Sequence, residues 1–163
     1  MELSLNEILL GLFVINIGLA FGAGLYETRI TLPLWFVKSP KGLQINTEMM
    51  IKMDVGRRFW GFVTTIPLTL LTIASLIFAF QMNGAAKNWW LAAAQIILAE
   101  RFGTFFYFIP TAIKMTKADT FTANKASSMA LQWKRMNGLR LVLNMAAWLA
   151  ALMAFYFSAA AMN

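Results

Sequence analysis

The sequence predicts an all-α protein, an integral membrane four-helix bundle with both termini outside and two basic cytoplasmic connections, forming a single domain over residues 1–163. Three observations predict it. Hydrophobic residues make up 60% of the chain and charged ones 13%, whereas soluble domains average roughly half and a quarter. Uncharged runs extend over Ile8–Tyr26, Phe59–Ala86 and Leu141–Asn163, each near or above the roughly 18 apolar residues that mark a spanning helix. The basic residues gather in two connections and leave the tails empty.

The first helix is the Ile8–Tyr26 run. Its start, "MELSLNEILLGLFV", has two acids and no basic residue, so it reads as a retained helix and not as a cleaved signal. Gly18, Ala20, Gly22 and Gly24 are small residues at spacings that permit close helix contact, within the bundle or with a second copy. In the connection that follows, "SPKG" (Ser39–Gly42) reads as a turn. Asn46 or Thr47 then caps a short amphipathic helix, "TEMMIKMDVGRRFW", that lies on the membrane and feeds the second span.

The second helix begins near Phe59 and carries Pro67, an expected kink. After the "QMNGAAKN" turn, Trp89 and Trp90 read as an interfacial anchor. The third helix needs an argument, because Glu100 and Arg101 divide the apolar segment Trp89–Ile113. Neither half alone crosses about 30 Å of hydrocarbon at 1.5 Å per residue, but the two together do. The charged pair then falls near the bilayer midplane. The third connection is polar through "TKADTFTANKASS" and helical from about Ala123, so the last helix protrudes before entering lipid near Trp133 and frays at "SAAAMN".

Orientation follows from Lys and Arg. Arg29, Lys38, Lys41, Lys52, Arg57 and Arg58 lie in the first connection and Lys114, Lys117, Lys125, Lys134 and Arg135 in the third, against Lys87 alone in the second. Positive loops remain in the cytoplasm, and the expected location is the bacterial inner (plasma) membrane. The net charge of +7 is accounted for by anionic lipid headgroups, so membrane lipids are expected partners and nucleic acid is not. With no Cys and no His, thiolate chemistry and the usual haem, copper or zinc ligands are absent. No metal or other cofactor is expected.

An ionisable residue at the midplane is a candidate functional site. Successive helical residues point about 100° apart, so Glu100 and Arg101 are expected to face different neighbours and to need separate partners. Glu100 shares a face with Thr104 and Tyr107, and Arg101 with Phe105 and Phe108. Asn16, Thr69 or Thr72, Asn144 and Trp148 reach a similar depth on the other helices. Asn137, Arg140, Asn144 and Trp148 form one stripe of the last helix. Tyr26 and Glu27 end the first helix at the level of Arg140, where Glu27 and Arg140 can pair. The expectation is one polar pocket between the third and fourth helices, with Asn16 closing it. Its catalytic candidates are Glu100, Arg101, Arg140 and Asn144, and its substrate-binding candidates are Tyr26, Glu27, Tyr107, Asn137, Trp148 and Asn16.

The segments "GLYETRITLPLW" (Gly24–Trp35), "ERFGTFFYFIPTAIKM" (Glu100–Met115) and "QWKRMNGLR" (Gln132–Arg140) resemble those of the anthrone oxygenase-like family of small four-helix membrane proteins. The matching residues are Tyr26, Glu27, Pro33, Trp35, Glu100, Arg101, Tyr107, Pro110, Trp133, Asn137 and Arg140. The resemblance implies a membrane bundle and, for some members, oxidation of a phenolic anthrone to a quinone by dioxygen without metal or flavin. The side chains present suit that chemistry, which needs a base (Glu100), donors for the resulting anion (Arg140, Arg101, Asn144) and rings for a flat polycycle (Trp148, Tyr107, Phe105). The competing reading is a non-enzymatic membrane subunit, a lipid- or quinone-binding scaffold or a small transporter, in which the same polar centre binds a carrier or conducts protons. A third reading is structural association alone, with the buried charges as register devices.

Overall fold

The computed structural model describes residues 4–40 and 42–160. Lys41 of the expected "SPKG" turn and the end of the "SAAAMN" tail lie outside the described residues. Four helices are long and apolar enough to cross a membrane: α1 (Leu5–Trp35), α3 (Gly56–Gln81), α4 (Gly84–Met115) and α5 (Ala123–Ala160). A β-hairpin, β1 (Phe36–Ser39) with β2 (Gly42–Ile45), and the short α2 (Thr47–Met53) lie between α1 and α3. The long helices form an antiparallel ring in the order α1, α3, α4, α5, with α4 and α5 in the most extensive contact.

Local chemistry sets the ends. Ser4 and Glu7 form a reciprocal capping box at the start of α1. Asn46 caps α2, its Oδ1 accepting from Met49 N at 3.0 Å. Asp54 stops α2 in the left-handed conformation, at φ 41°. The expected amphipathic helix therefore ends at Met53, and the "GRRFW" that follows already belongs to α3.

The core has two parts. One joins Leu10, Phe13 and Ile17 of α1 to Leu68, Ala93, Ile97 and the alanines 147, 150, 151 and 154 of α5, whose small side chains let α4 and α1 approach closely. Trp90, expected at an interface, is fully buried in this cluster. The second part lies at the end of the ring carrying the basic connections, where Leu32, Trp35, Phe36, Ile45, Met50, Phe108 and Met115 enclose Ala126, Ala130 and Trp133 of α5. The hairpin was not expected from the sequence. It is held to α5 by Ser127, whose Oγ accepts from Leu43 N at 3.1 Å. Gly18 and Gly24 also turn inward, toward Trp148 and Leu141 of α5.

Three of the long helices widen into π-helical turns, at Glu27–Thr31, Gly56–Thr65 and Thr104–Phe108. Each ends two residues before a proline, Pro33, Pro67 or Pro110. Proline has no N–H, and its ring crowds the carbonyl four residues back. The residue before each proline donates instead five residues back: Leu32 to Glu27, Ile66 to Gly61 and Ile109 to Thr104. The expected kink at Pro67 is thus one of three such widenings, a feature that recurs at functional sites in helices.

A candidate ligand-binding cleft between α3 and α4

Near the short turn, α3 and α4 pack along Ile66–Phe78 and Gly84–Gly103, but the widened Gly56–Thr65 packs on α1 and leaves the facing part of α4 uncovered. The gap holds a cavity of about 550 Å³. Trp60, Thr64 and Thr65 line one side and Thr104, Phe108 and Ile109 the other, with Glu27 and Ala20 of α1 and Arg140 and Asn144 of α5 behind them. All three π-helical turns contribute lining residues, so the prolines shape the cavity as well as the helices.

Glu100 and Arg101 pair with each other. Arg101 Nε donates to Glu100 Oε2 at 2.6 Å, Nη2 joins it, and Thr104 Oγ1 donates to Glu100 Oε1 at 2.9 Å. This corrects the expectation that adjacent helical residues must seek separate partners. Their Cβ atoms do diverge, but the long arginine arm folds back across the turn, and leaving two buried charges apart would cost more than bending one side chain. The shared face of Glu100 and Thr104 is present.

The second buried pair is Glu27 with Arg140, as the helix-end levels predict. Arg140 Nη2 also donates to Asn137 Oδ1, and Asn137 Nδ2 donates to Thr28 Oγ1 at 2.8 Å. The guanidinium lies over two rings, 4.9 Å from the centre of Trp60 and 4.4 Å from that of Phe108. The aromatic seam expected beside Arg101 thus serves Arg140, and Phe105 is 44% exposed. The widened turn at Thr104–Phe108 rotates the residues beyond it out of simple helical register.

Of the predicted site residues, Glu27, Glu100, Arg101, Arg140 and Asn144 line the cavity, and Asn137 stands behind Arg140. Asn137 and four others do not line it. Asn16 is placed elsewhere: its Nδ2 donates at 3.1 Å to Val63 O, the carbonyl four residues before Pro67 that has lost its helical donor. Ala20, one turn further on, lines the cavity in its place. Tyr26 is 62% exposed. Trp148 stacks on Phe21, with ring centres 6.1 Å apart. Tyr107 packs on Trp133 and Phe108. Thr69 and Thr72 bond back to their own helix, at 2.6 Å each.

The sequence reading missed Trp60 and Thr64 on α3, and it did not assign Trp35, Phe108 and Trp133 to the cavity. The signal that finds them is the recurrence of proline inside three of the long helices. Four lining residues keep buried polar atoms without partners: Arg101 Nη1, Asn144 Oδ1 and the indole nitrogens of Trp35 and Trp133. Among the described residues, no three His, Cys, Asp or Glu side chains gather as a metal would require.

Fold and site together define a helical bundle of membrane-compatible length with a charged, aromatic-walled cleft. Comparison with protein-family models, with curated proteins and with solved structures finds no match to this chain.

Proposed function

We propose that this is an integral membrane protein, with its basic connections in the cytoplasm of a bacterial cell, whose cleft takes a flat hydrophobic phenol or quinone-type molecule from the bilayer and oxygenates it without a cofactor. The observation that carries the reading is the cavity of about 550 Å³ between two apolar helices, with carboxylate–guanidinium pairs in its wall beside the rings of Trp60 and Phe108. Its volume falls among the roughly 300–1,000 Å³ of small-molecule sites. The segments that resemble the anthrone oxygenase-like family also furnish Glu27, Trp35, Glu100, Arg101, Thr104, Phe108, Trp133 and Arg140 of the lining.

The pairing of Glu100 with Arg101 suits the chemistry. Glu100 takes a proton from the activated CH₂ of an anthrone-type substrate, and the electron pair left behind spreads onto the ring oxygen as an enolate. One negative charge thereby moves from Glu100 to the substrate, and Arg101, released from a carboxylate now neutral, turns its unpartnered Nη1 to the enolate oxygen. Dioxygen adds to the electron-rich carbon, the peroxide takes up the proton, and loss of water leaves a carbonyl. In sum, CH₂ and O₂ become C=O and H₂O.

Oxygen uptake by the purified protein with a dihydroxyanthrone tests this. The expected result is one O₂ consumed per quinone formed, above the uncatalysed rate, and loss of that excess in Glu100→Gln with ligand still bound. A second reading, a non-enzymatic carrier or quinone-binding scaffold, is favoured by one observation: both buried carboxylates of the cleft are already engaged by arginines. Ligand retention with no oxygen uptake above background selects it.

A further inference from the structure

The charges that line the cleft cancel. The chain carries 14 Lys and Arg against 7 Asp and Glu, yet the charged residues lining the cavity are Glu27, Asp54 and Glu100 with Arg57, Arg101 and Arg140. Each acid is paired with one of these bases: Glu27 with Arg140, Glu100 with Arg101, and at the rim Asp54 with Arg57 at 2.8 Å. The excess positive charge of the protein lies elsewhere.

We propose that this balance makes the cleft selective for an uncharged ligand, a ketone, quinone or un-ionised phenol, and against carboxylated or phosphorylated analogues; the inference rests on the reading of the cleft as a site for a ring-shaped molecule. An entering anion meets no uncompensated cation. It either remains unpaired among buried groups or takes an arginine from Glu27 or Glu100, stranding that carboxylate, and both alternatives are costly. A neutral molecule with acceptor oxygens requires only hydrogen-bond donors, and Arg101 Nη1 is a buried donor without a partner. The route favours the same class, since the lining residues Ile109 and Ile113 are 40% and 61% exposed on the outer face of α4. During turnover the negative charge arises inside the cleft, by proton transfer to Glu100, and the sum stays at zero throughout.

The test compares the methyl ester of anthraquinone-2-carboxylic acid with the free carboxylate. Binding is read by quenching of tryptophan fluorescence in detergent at pH 7 and corrected for each probe's partition into empty micelles. Wild-type protein is expected to hold the ester at least tenfold more tightly than the carboxylate. In Glu100→Gln, which leaves Arg101 uncompensated, that preference is expected to fall by at least tenfold or to invert. Equal binding of the two probes to wild type, or an unchanged preference in the variant, overturns the selectivity while leaving the ring-ligand reading in place. Failure of wild type to bind either probe removes that reading and the inference with it. Should Glu100→Gln not fold, the wild-type ratio decides alone.

Discussion

Arg140 reaches from α5 to all three other long helices, through Glu27 of α1, Trp60 of α3 and Phe108 of α4. Its removal leaves Glu27, 3% exposed, as a buried carboxylate without its cation. Arg140→Met is therefore expected to destabilise the protein by about 3–5 kcal/mol, and adding Glu27→Gln to recover most of that loss, because the stranded charge is the larger part of it. Thermal unfolding of both variants in detergent measures this; a double variant as unstable as the single one would place the cost in the lost ring contacts instead. Sequence could find this pair because Glu27 closes the first uncharged run and Arg140 precedes the last, where counting turns gives depth. It could not find the Glu100–Arg101 pair, since periodicity gives the direction of Cβ and not the reach of a long side chain. Asn16 shows the same limit: its amide is claimed by a carbonyl that the sequence exposes only through a proline on another helix.

At the scale of the helix, the prolines and the widened turns form one device, and Asn16 is its complement. Asn16→Ala removes the side-chain donor to Val63 O, whose α-helical donor Pro67 cannot supply, an expected loss of about 1–3 kcal/mol. In a Pro67→Ala background residue 67 regains an N–H, so the same substitution is expected to cost much less. A double-mutant cycle on unfolding free energies reads the coupling, and additive losses would break the link between Asn16 and the proline. The hairpin depends on a different local feature. Gly42 has φ 110°, and a Cβ there would lie 2.6 Å from Ser127 Oγ. Gly42→Ala is expected to cost about 1–3 kcal/mol, seen as faster amide exchange through β1 and β2 while the alanine-lined contact of α4 with α5 stays protected. These strands escaped the sequence reading because "FVKS" and "GLQI" are too short for alternation to register beside the apolar helices around them.

Across the whole molecule, the four long helices were legible because hydrophobicity over some twenty residues is a strong signal, whereas the cleft arises from three local departures from helical register that no periodic pattern contains. Helix length bears on topology. α5 has 38 residues, about 57 Å at 1.5 Å per residue, nearly twice the roughly 30 Å of a hydrocarbon core. Its N-terminal third packs with the hairpin, α2 and Trp35 in the second core cluster, so the surplus length lies at the end that carries the basic connections. In the proposed orientation that end projects into the cytoplasm, in keeping with the distribution of Lys and Arg, and Glu100 and Asn144 would lie deeper in the hydrocarbon than Glu27 and Arg140. The absence of cysteine makes the orientation directly measurable with single cysteines and an impermeant thiol reagent. In intact cells, cysteine in place of Lys87, in the short turn between α3 and α4, is expected to react. Cysteine in place of Lys38 or Lys117 is expected to react only after the membrane is opened. The reverse pattern would invert the protein, and a reaction at all three sites in intact cells would remove the membrane-spanning arrangement on which the lateral entry of a neutral ligand depends.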